Sequence, residues 1–185
     1  MSGGHGHVDH HSHKGIALVI SVLALVLAFS ETLGKSAQTA GIAANIEASN
    51  LWAFFQAKTI RQTTMRTAAD ALQAEFGDKA PESVKKQIDN WKKTAERYQS
   101  EPETGEGRKE LAERAKAAEK KRDRSMAAYH HFELASAAVQ IAIVMASASI
   151  ITAIAALVWI AGGLGALGVA FCVIGVWFPT AVHLF

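Results

Sequence analysis

The sequence is poor in residues that cross-link or break a chain. Its 185 residues include one cysteine, Cys172, so no intrachain disulfide can form and cysteine usage does not report the redox compartment. None of its three prolines lies between residues 36 and 76, which leaves that stretch free to form a long helix. The glycine-rich phosphate loops, HExxH and G-x-S-x-G elements are absent as well. The sequence therefore predicts a protein that is not an enzyme.

Charge is almost missing from three long apolar runs, at residues 15–33, 134–160 and 164–185. A run of about 20 apolar residues is what a hydrocarbon layer of ~30 Å requires of a membrane helix. The polar segment 34–133 carries 18 of the 19 Lys and Arg residues and 15 of the 17 acidic residues. This distribution predicts an integral membrane protein with a tail at 1–14, three transmembrane helices and one large extramembrane domain at 34–133.

The signs of the charges bear on partners and on topology. The nearly balanced polar segment lacks the one-signed face of a nucleic-acid binder, so no nucleic acid is expected as a partner. Basic residues near the membrane ends favour the cytoplasmic side. One of them, Lys14, precedes the first run. The others lie on the polar segment, at Lys35, Lys120, Lys121, Arg122 and Arg124, and this bias predicts a cytoplasmic loop, an outer amino terminus and a cytoplasmic carboxyl terminus. The alternative is a cleaved signal peptide at the first run, for which Ser30–Glu31–Thr32 is a poor cleavage site.

The polar segment is predicted to be helical. Ala37 to Phe76 shows an alternating spacing of four and three that is typical of a coiled-coil seam, with Lys58 and Gln62 as its two polar members. Gly77 ends this helix, a second helix runs from Pro81 to about Ser100, and a third begins near Arg108. The seam consists of Ala37, Gly41, Ala44, Ala48, Leu51, Phe55, Lys58, Gln62, Met65, Ala69, Leu72 and Phe76.

Two sets of residues are candidates for contacts between subunits. Leu51, Trp52, Phe54 and Phe55 point around more than half of a helix, more than one return helix can cover, and this predicts a homo-oligomer. Small residues four apart let membrane helices approach closely, either between subunits or within one. The full set of interface candidates is Leu51, Trp52, Phe54, Phe55, Met65, Leu72, Ala138, Ala142 and Ala146.

The amino-terminal tail carries His5, His7, His10, His11 and His13. Imidazoles at this density can bind zinc, copper or nickel, but the glycine-containing tail presets no geometry. The alternative is a weakly metal-binding tail without a specific role, since a His-rich tract is compositional evidence only. No other cofactor is expected.

Glu31 and Glu133 lie near the inner ends of the first two runs, at about the same membrane depth. In an oligomer they could form carboxylate rings at the mouth of a cation-favouring pore. The alternative is local pairing, of Glu31 with Lys35 and of Glu133 with His130 and His131.

The segment 29–63, FSETLGKSAQTAGIAANIEASNLWAFFQAKTIRQT, resembles the most distinctive stretch of an uncharacterised family of bacterial inner-membrane proteins known only as a domain of unknown function. The His-containing amino terminus, the two terminal membrane runs and the length are similar too. The resemblance implies a three-helix inner-membrane protein of a Gram-negative-type bacterium, in which the outer amino terminus predicted from the charges would be periplasmic, and it implies no activity.

Together these features predict an all-α membrane protein, with one amino-terminal membrane helix extended into a long helical stalk and a carboxy-terminal transmembrane hairpin. The function that we expect is a non-enzymatic homo-oligomer that organises membrane or builds a large structure, with itself and the lipid bilayer as partners. The alternatives are an ion channel or pore formed by the oligomer, and an accessory subunit that binds other membrane proteins.

Overall fold

A computed structural model of the protein describes residues 10–181, with side chains from residue 14 onward. This part of the chain is all-α and contains no strand, as predicted. Its helices are α1 (His10–Phe76), α2 (Glu82–Gln99), α3 (Arg108–Thr152) and α4 (Ala155–Trp177), with one 3₁₀ turn at Gly77–Lys79. Helices α1, α3 and α4 are each long and apolar enough to cross a membrane.

Helix α1 has 67 residues and spans ~100 Å at 1.5 Å per residue. It ends at Phe76 because Gly77 adopts a φ of +52°, a left-handed conformation that glycine enters without a Cβ clash. The ends of α1 and α2 and the start of α3 agree with the predicted bounds. The chain divides into two compact units, which we call the membrane unit (residues 10–41 and 123–181) and the loop unit (residues 42–122).

The membrane unit packs parts of α1, α3 and α4 around small residues. Leu23, Val139, Ala142, Ala146 and Ala161 form its buried cluster. A Cβ on Gly168 would meet Val139, and one on Gly175 would meet Phe132, so α3 and α4 run antiparallel at close range. The contact at Gly168 is the tighter one, because a Cβ there would meet both a Val139 methyl group and the backbone carbonyl of Ala135, whereas at Gly175 the Phe132 ring would have to move by a few tenths of an ångström.

The turn between the second and third candidate spans lies earlier than the sequence suggested. The apolar runs at 134–160 and 164–185 leave residues 161–163 for the turn, but α3 ends at Thr152 and α4 begins at Ala155. Ala153 makes the turn with a φ of +55°. After this turn α4 has 23 residues, close to the ~20 that a bilayer requires. It ends at Trp177, so Pro179, which cannot continue a helix, lies outside it. Residues 161–163 are therefore helical, and the span predicted at 164–185 corresponds to Ala155–Trp177.

The loop unit is built on two stretches of α1 and α3 with α2 beside them. Its buried cluster consists of Ala48 and Leu51 from α1 and Leu111, Ala115 and Ala118 from α3, with Trp52 and Phe55 packed against it. From α2, Ile88 and Ala95 are buried. Small side chains at most of these positions let the helix backbones approach closely, so the core is narrow.

The carboxylate of Glu110 holds the loop between α2 and α3 against the start of α3. Glu110 accepts hydrogen bonds from the Ser100 hydroxyl at 2.6 Å and from the Glu101 backbone N–H at 3.1 Å. The hydrogen bond from Ser100 is the main reason that the pKa of Glu110 lies below its ordinary value.

We expect the hydrogen bonds of the Glu110 carboxylate, and with them the ordered loop, to be lost in acid. Because the folded pKa of Glu110 is lowered, its contribution is complete above the ordinary carboxylate pKa and disappears as the pH falls through the lowered value. Limited proteolysis of the 100–107 loop should therefore accelerate as the pH falls through this range, with an acid-active protease. In Glu110→Gln the loop should be cut faster than in the wild type above the ordinary carboxylate pKa, and the ratio of the two cleavage rates should fall toward one as the pH falls. Equal acid sensitivity in both proteins would contradict the assignment.

Candidate functional site

The outer face of α1 in the loop unit is exposed and nearly uncharged. Ile42, Ile46 and Ile60 are 54%, 56% and 68% exposed. Of residues 36–60, only Glu47 and Lys58 are charged, and Lys58 is buried. We define the α1 outer face as Ile42, Ile46, Ser49, Ala53, Ala57 and Ile60, all of which are exposed.

The α1 outer face adjoins a shallow groove of about 590 Å³ on the same helix. Four threonines, two alanines and one isoleucine line this groove, with no charged side chain among them. The lining residues are Thr59, Ile60, Thr63, Thr64, Thr67, Ala68 and Ala71. A solvated helix normally carries charges on its outer side, so an uncharged surface of this length is typical of a protein contact.

The aromatic interface candidates lie largely inside the protomer. Leu51 is buried, and Phe55 is half-buried against the same cluster. Trp52 donates a hydrogen bond from Nε1 to the Glu119 carboxylate at 2.8 Å and meets the Phe55 ring edge-on at 5.4 Å. Phe54 is the exposed member, at 37%. Met65 and Leu72, further along the seam, are half-buried.

The two polar members of the seam form the centre of a polar cluster in the loop unit. Lys58 is 6% exposed and lies 3.6 Å from the Glu101 carboxylate and 3.7 Å from that of Glu106. Its ammonium also lies over the rings of Phe54 and Tyr98, at 5.4 and 5.2 Å. A buried ammonium is stable only when it is paired in this way.

Gln62 and Arg108 extend this polar cluster to all three helices of the loop unit. Gln62 is 2% exposed and donates to the Ala95 carbonyl on α2 at 2.8 Å. Arg108, at the start of α3, donates to Gln62 and to the Thr59 hydroxyl, and its guanidinium lies 4.9 Å from the centre of the Phe55 ring. Because these groups satisfy one another, the cluster fastens the helices and offers little to a ligand.

In the membrane unit, Glu31 and Glu133 line the same cleft of about 330 Å³ between α1 and α3. Gln140 donates to the Glu31 carboxylate at 3.3 Å. The Glu133 carboxylate lies 3.6 Å from Nδ1 of His130 and accepts a long hydrogen bond from Tyr129. The two carboxylates therefore share one outward-opening cleft within a single protomer.

The remaining predicted residues fall into two groups. Ala138, Ala142 and Ala146 are buried in the membrane unit, where they pack α3 against its neighbours. His5 and His7 lie outside the described residues, as do the side chains of His10, His11 and His13. Among the described side chains, no group of three His, Cys, Asp or Glu residues is placed to hold a metal ion.

Sequence reasoning missed the α1 outer face because it followed the seam. The three isoleucines of this face, Ile42, Ile46 and Ile60, lie between the seam positions on the helix. Because the seam packs inside the protomer, their side chains face outward. The signal that could have found them is the scarcity of charge across residues 36–60.

A family model described as a domain of unknown function (DUF4337) matches residues 12–178 of the chain. No curated protein and no solved structure gives a significant match.

Proposed function

The chain belongs to the family of the domain of unknown function DUF4337, and we propose that it is a non-enzymatic integral membrane protein that assembles into a homo-oligomeric scaffold. The observation that carries this proposal is the α1 outer face, which is exposed in the protomer although it lacks charge.

The size and shape of this surface suit a second copy of the chain. From Ile42 to Ile60 the face runs ~27 Å along one helix, five helical turns. Its isoleucines stand beside small residues at Ala53 and Ala57, so the ridge of one helix can enter the groove of another. The isoleucines of this face are 54–68% exposed, so covering each one completely stabilises an assembly by roughly half to two thirds of the ~1.5–3 kcal/mol that complete burial of such a side chain contributes.

We also propose that the protein resides in a bacterial inner membrane, with the loop unit and the carboxyl terminus in the cytoplasm and the amino terminus in the periplasm. The support is the set of basic residues that flank the membrane segments on the loop side, Lys35, Lys120, Lys121, Arg122 and Arg124.

The double variant Ile46→Glu/Ile60→Glu tests the proposed contact. Two carboxylates on the α1 outer face would have to be buried unpaired in the assembly, so the particle should fall to smaller species. Native mass spectrometry in a mild detergent measures this change. Because both side chains are exposed in the protomer, the helix content by circular dichroism should stay unchanged.

A matched control places the same charges on α2, as Gln87→Glu/Asn90→Glu, where both residues are exposed on a highly charged helix. This control should keep the mass of the wild-type particle. If the Ile46→Glu/Ile60→Glu particle has the wild-type mass as well, the α1 outer face is not the contact.

The second candidate function is a cation-favouring pore, and the shared cleft of Glu31 and Glu133 supports it. Conductance across a lipid bilayer that is lost in Glu31→Gln/Glu133→Gln would favour the pore over the scaffold. Purification with a different protein at fixed stoichiometry would instead favour an accessory subunit.

A further inference from the structure

Helix α3 carries a group of basic residues shortly before its apolar run begins. Lys120, Lys121, Arg122 and Arg124 stand within five residues of one another. Arg122 is half-buried and donates to the Asn45 side chain at 3.4 Å, whereas the other three are exposed. We call Lys120, Lys121 and Arg124 the basic group.

The charge of the basic group is not neutralised by its neighbours. Segment 120–124 has a net charge of +3, from four basic residues and one acidic residue. The adjoining Glu119 accepts a hydrogen bond from the Trp52 indole at 2.8 Å, which holds its carboxylate at the core of the loop unit. Among the side chains that the structure describes, none of the ion pairs includes a member of the basic group.

Toward the membrane, α3 offers no acidic side chain on the side of the basic group. Residues 125–181 contain one acidic residue, Glu133. Its carboxylate lies 3.6 Å from Nδ1 of His130 and lines the cleft between α1 and α3. Nine residues of α-helix separate Glu133 from Arg124, a rotation of about 180° around the helix axis, so the two lie on opposite sides of α3.

The end of α4 marks the headgroup level at this end of the membrane unit. Trp177 and Phe178 are 67% and 61% exposed, and aromatic side chains of this kind collect at lipid headgroups. Nε2 of His131 lies 3.2 Å from the Pro179 carbonyl oxygen, so α3 passes the same level at about His131. The basic group therefore lies between ~10 and ~17 Å along α3 from the headgroup level.

A negatively charged membrane surface fits both the position and the sign of this group. Electrostatic attraction to anionic headgroups extends over a Debye length of ~8 Å, and the long side chains of Lys and Arg extend toward the membrane surface from the helix ends. A nucleic acid fits less well, because it needs a longer one-signed face. Residues 108–119 of α3 mix four basic with three acidic residues.

We infer that Lys120, Lys121 and Arg124 bind the headgroups of anionic lipids in the leaflet on the loop side of the membrane. This inference goes beyond the proposed assembly. It requires only that the membrane unit spans the bilayer, so it holds for a single copy as well as for an oligomer.

Lipid titration tests the binding. The full-length protein in a mild detergent is titrated with phosphatidylglycerol, or with phosphatidylcholine of the same acyl chains, and native mass spectrometry counts the bound lipids. The wild type should bind phosphatidylglycerol more tightly. Lys120→Gln/Lys121→Gln/Arg124→Gln should weaken this binding by about tenfold or more, because each basic side chain at an anionic surface contributes a factor of roughly five that falls with distance. Phosphatidylcholine binding should not change.

The matched control, Lys85→Gln/Lys86→Gln/Lys93→Gln, removes three charges from exposed positions of α2 and should bind phosphatidylglycerol like the wild type. Glutamine has nearly the helix propensity of lysine and arginine, so the helix content of both variants should stay unchanged.

Three results would overturn the inference: equal phosphatidylglycerol binding by the wild type and the α3 variant, equal binding of both lipids by the wild type, or an equal loss in the α3 variant and its control. The protein mass in the same spectra reports the copy number separately. A failure of lipid binding is therefore distinguishable from a failure of the proposed homo-oligomer.

Discussion

Replacing Gly168 by leucine is expected to destabilise the membrane unit by about 1–3 kcal/mol, the usual effect of overfilling a packed interior. A Cβ at this position would come within 2.5 Å of a Val139 methyl group and 3.1 Å of the Ala135 carbonyl oxygen. The carbonyl belongs to the backbone of α3 and cannot rotate away. The two helices must therefore separate to accommodate any side chain.

Thermal unfolding followed by circular dichroism in a mild detergent measures this effect. Gly162→Leu is the control, since Gly162 lies on the same helix and a Cβ there meets nothing within 4 Å. Both substitutions change helix propensity equally, so their difference isolates the contact with α3. An equal melting temperature for the two variants would mean that α3 and α4 do not pack through Gly168.

Replacing Arg108 by alanine is expected to destabilise the loop unit by about 2–3 kcal/mol. The change removes the guanidinium that bonds to Gln62, Gln99 and Thr59 and that lies over the Phe55 ring. Gln62 is almost fully buried, so its carbonyl oxygen would lose a charged donor in a place that water hardly reaches. The polar cluster that connects α1, α2 and α3 should therefore be the first part of the loop unit to unfold locally.

Hydrogen exchange measured by mass spectrometry should show faster exchange in α2 and in the α2–α3 loop of the Arg108→Ala variant. Arg114→Ala is the matched control, since Arg114 is exposed on the same helix and makes only a 3.3 Å hydrogen bond to the Gly105 carbonyl. The control should exchange like the wild type in α2, because the hydrogen bond of Arg114 reaches the α2–α3 loop and not that helix. If both variants exchange alike, the polar cluster does not fasten the loop unit.

The helices of the loop unit could be predicted because their signals are local. The absence of proline, the seam spacing and the glycine after Phe76 set α1, and Pro81 and Arg108 lie at the starts that were predicted for α2 and α3. The partners of Lys58 and Gln62 could not be predicted. Both looked like defects in an apolar seam, yet each is satisfied by groups from α2, α3 or the loop between them, 33 to 48 residues away in sequence.

The turn between α3 and α4 was placed wrongly for a related reason. Glycines at 162 and 163 suggested a turn, but in membrane helices glycine also serves close packing, and local sequence does not separate the two uses. The small residues that are spaced for helix contacts show the same limit of local sequence. Ala142 and Ala146 satisfy the small-residue spacing inside the protomer, whereas Ala24 and Ala28 satisfy it on the outside, and only the fold distinguishes them.

Copy number is the most direct test of the central claim, which is that this chain assembles with itself. The full-length protein would be extracted with its lipids into native lipid discs, and its mass would be measured by native mass spectrometry. We predict a mass that is an integer multiple, at least two, of the 19.8 kDa chain, with no other protein present. A mass of one copy, or one copy bound to a different protein, would contradict the account.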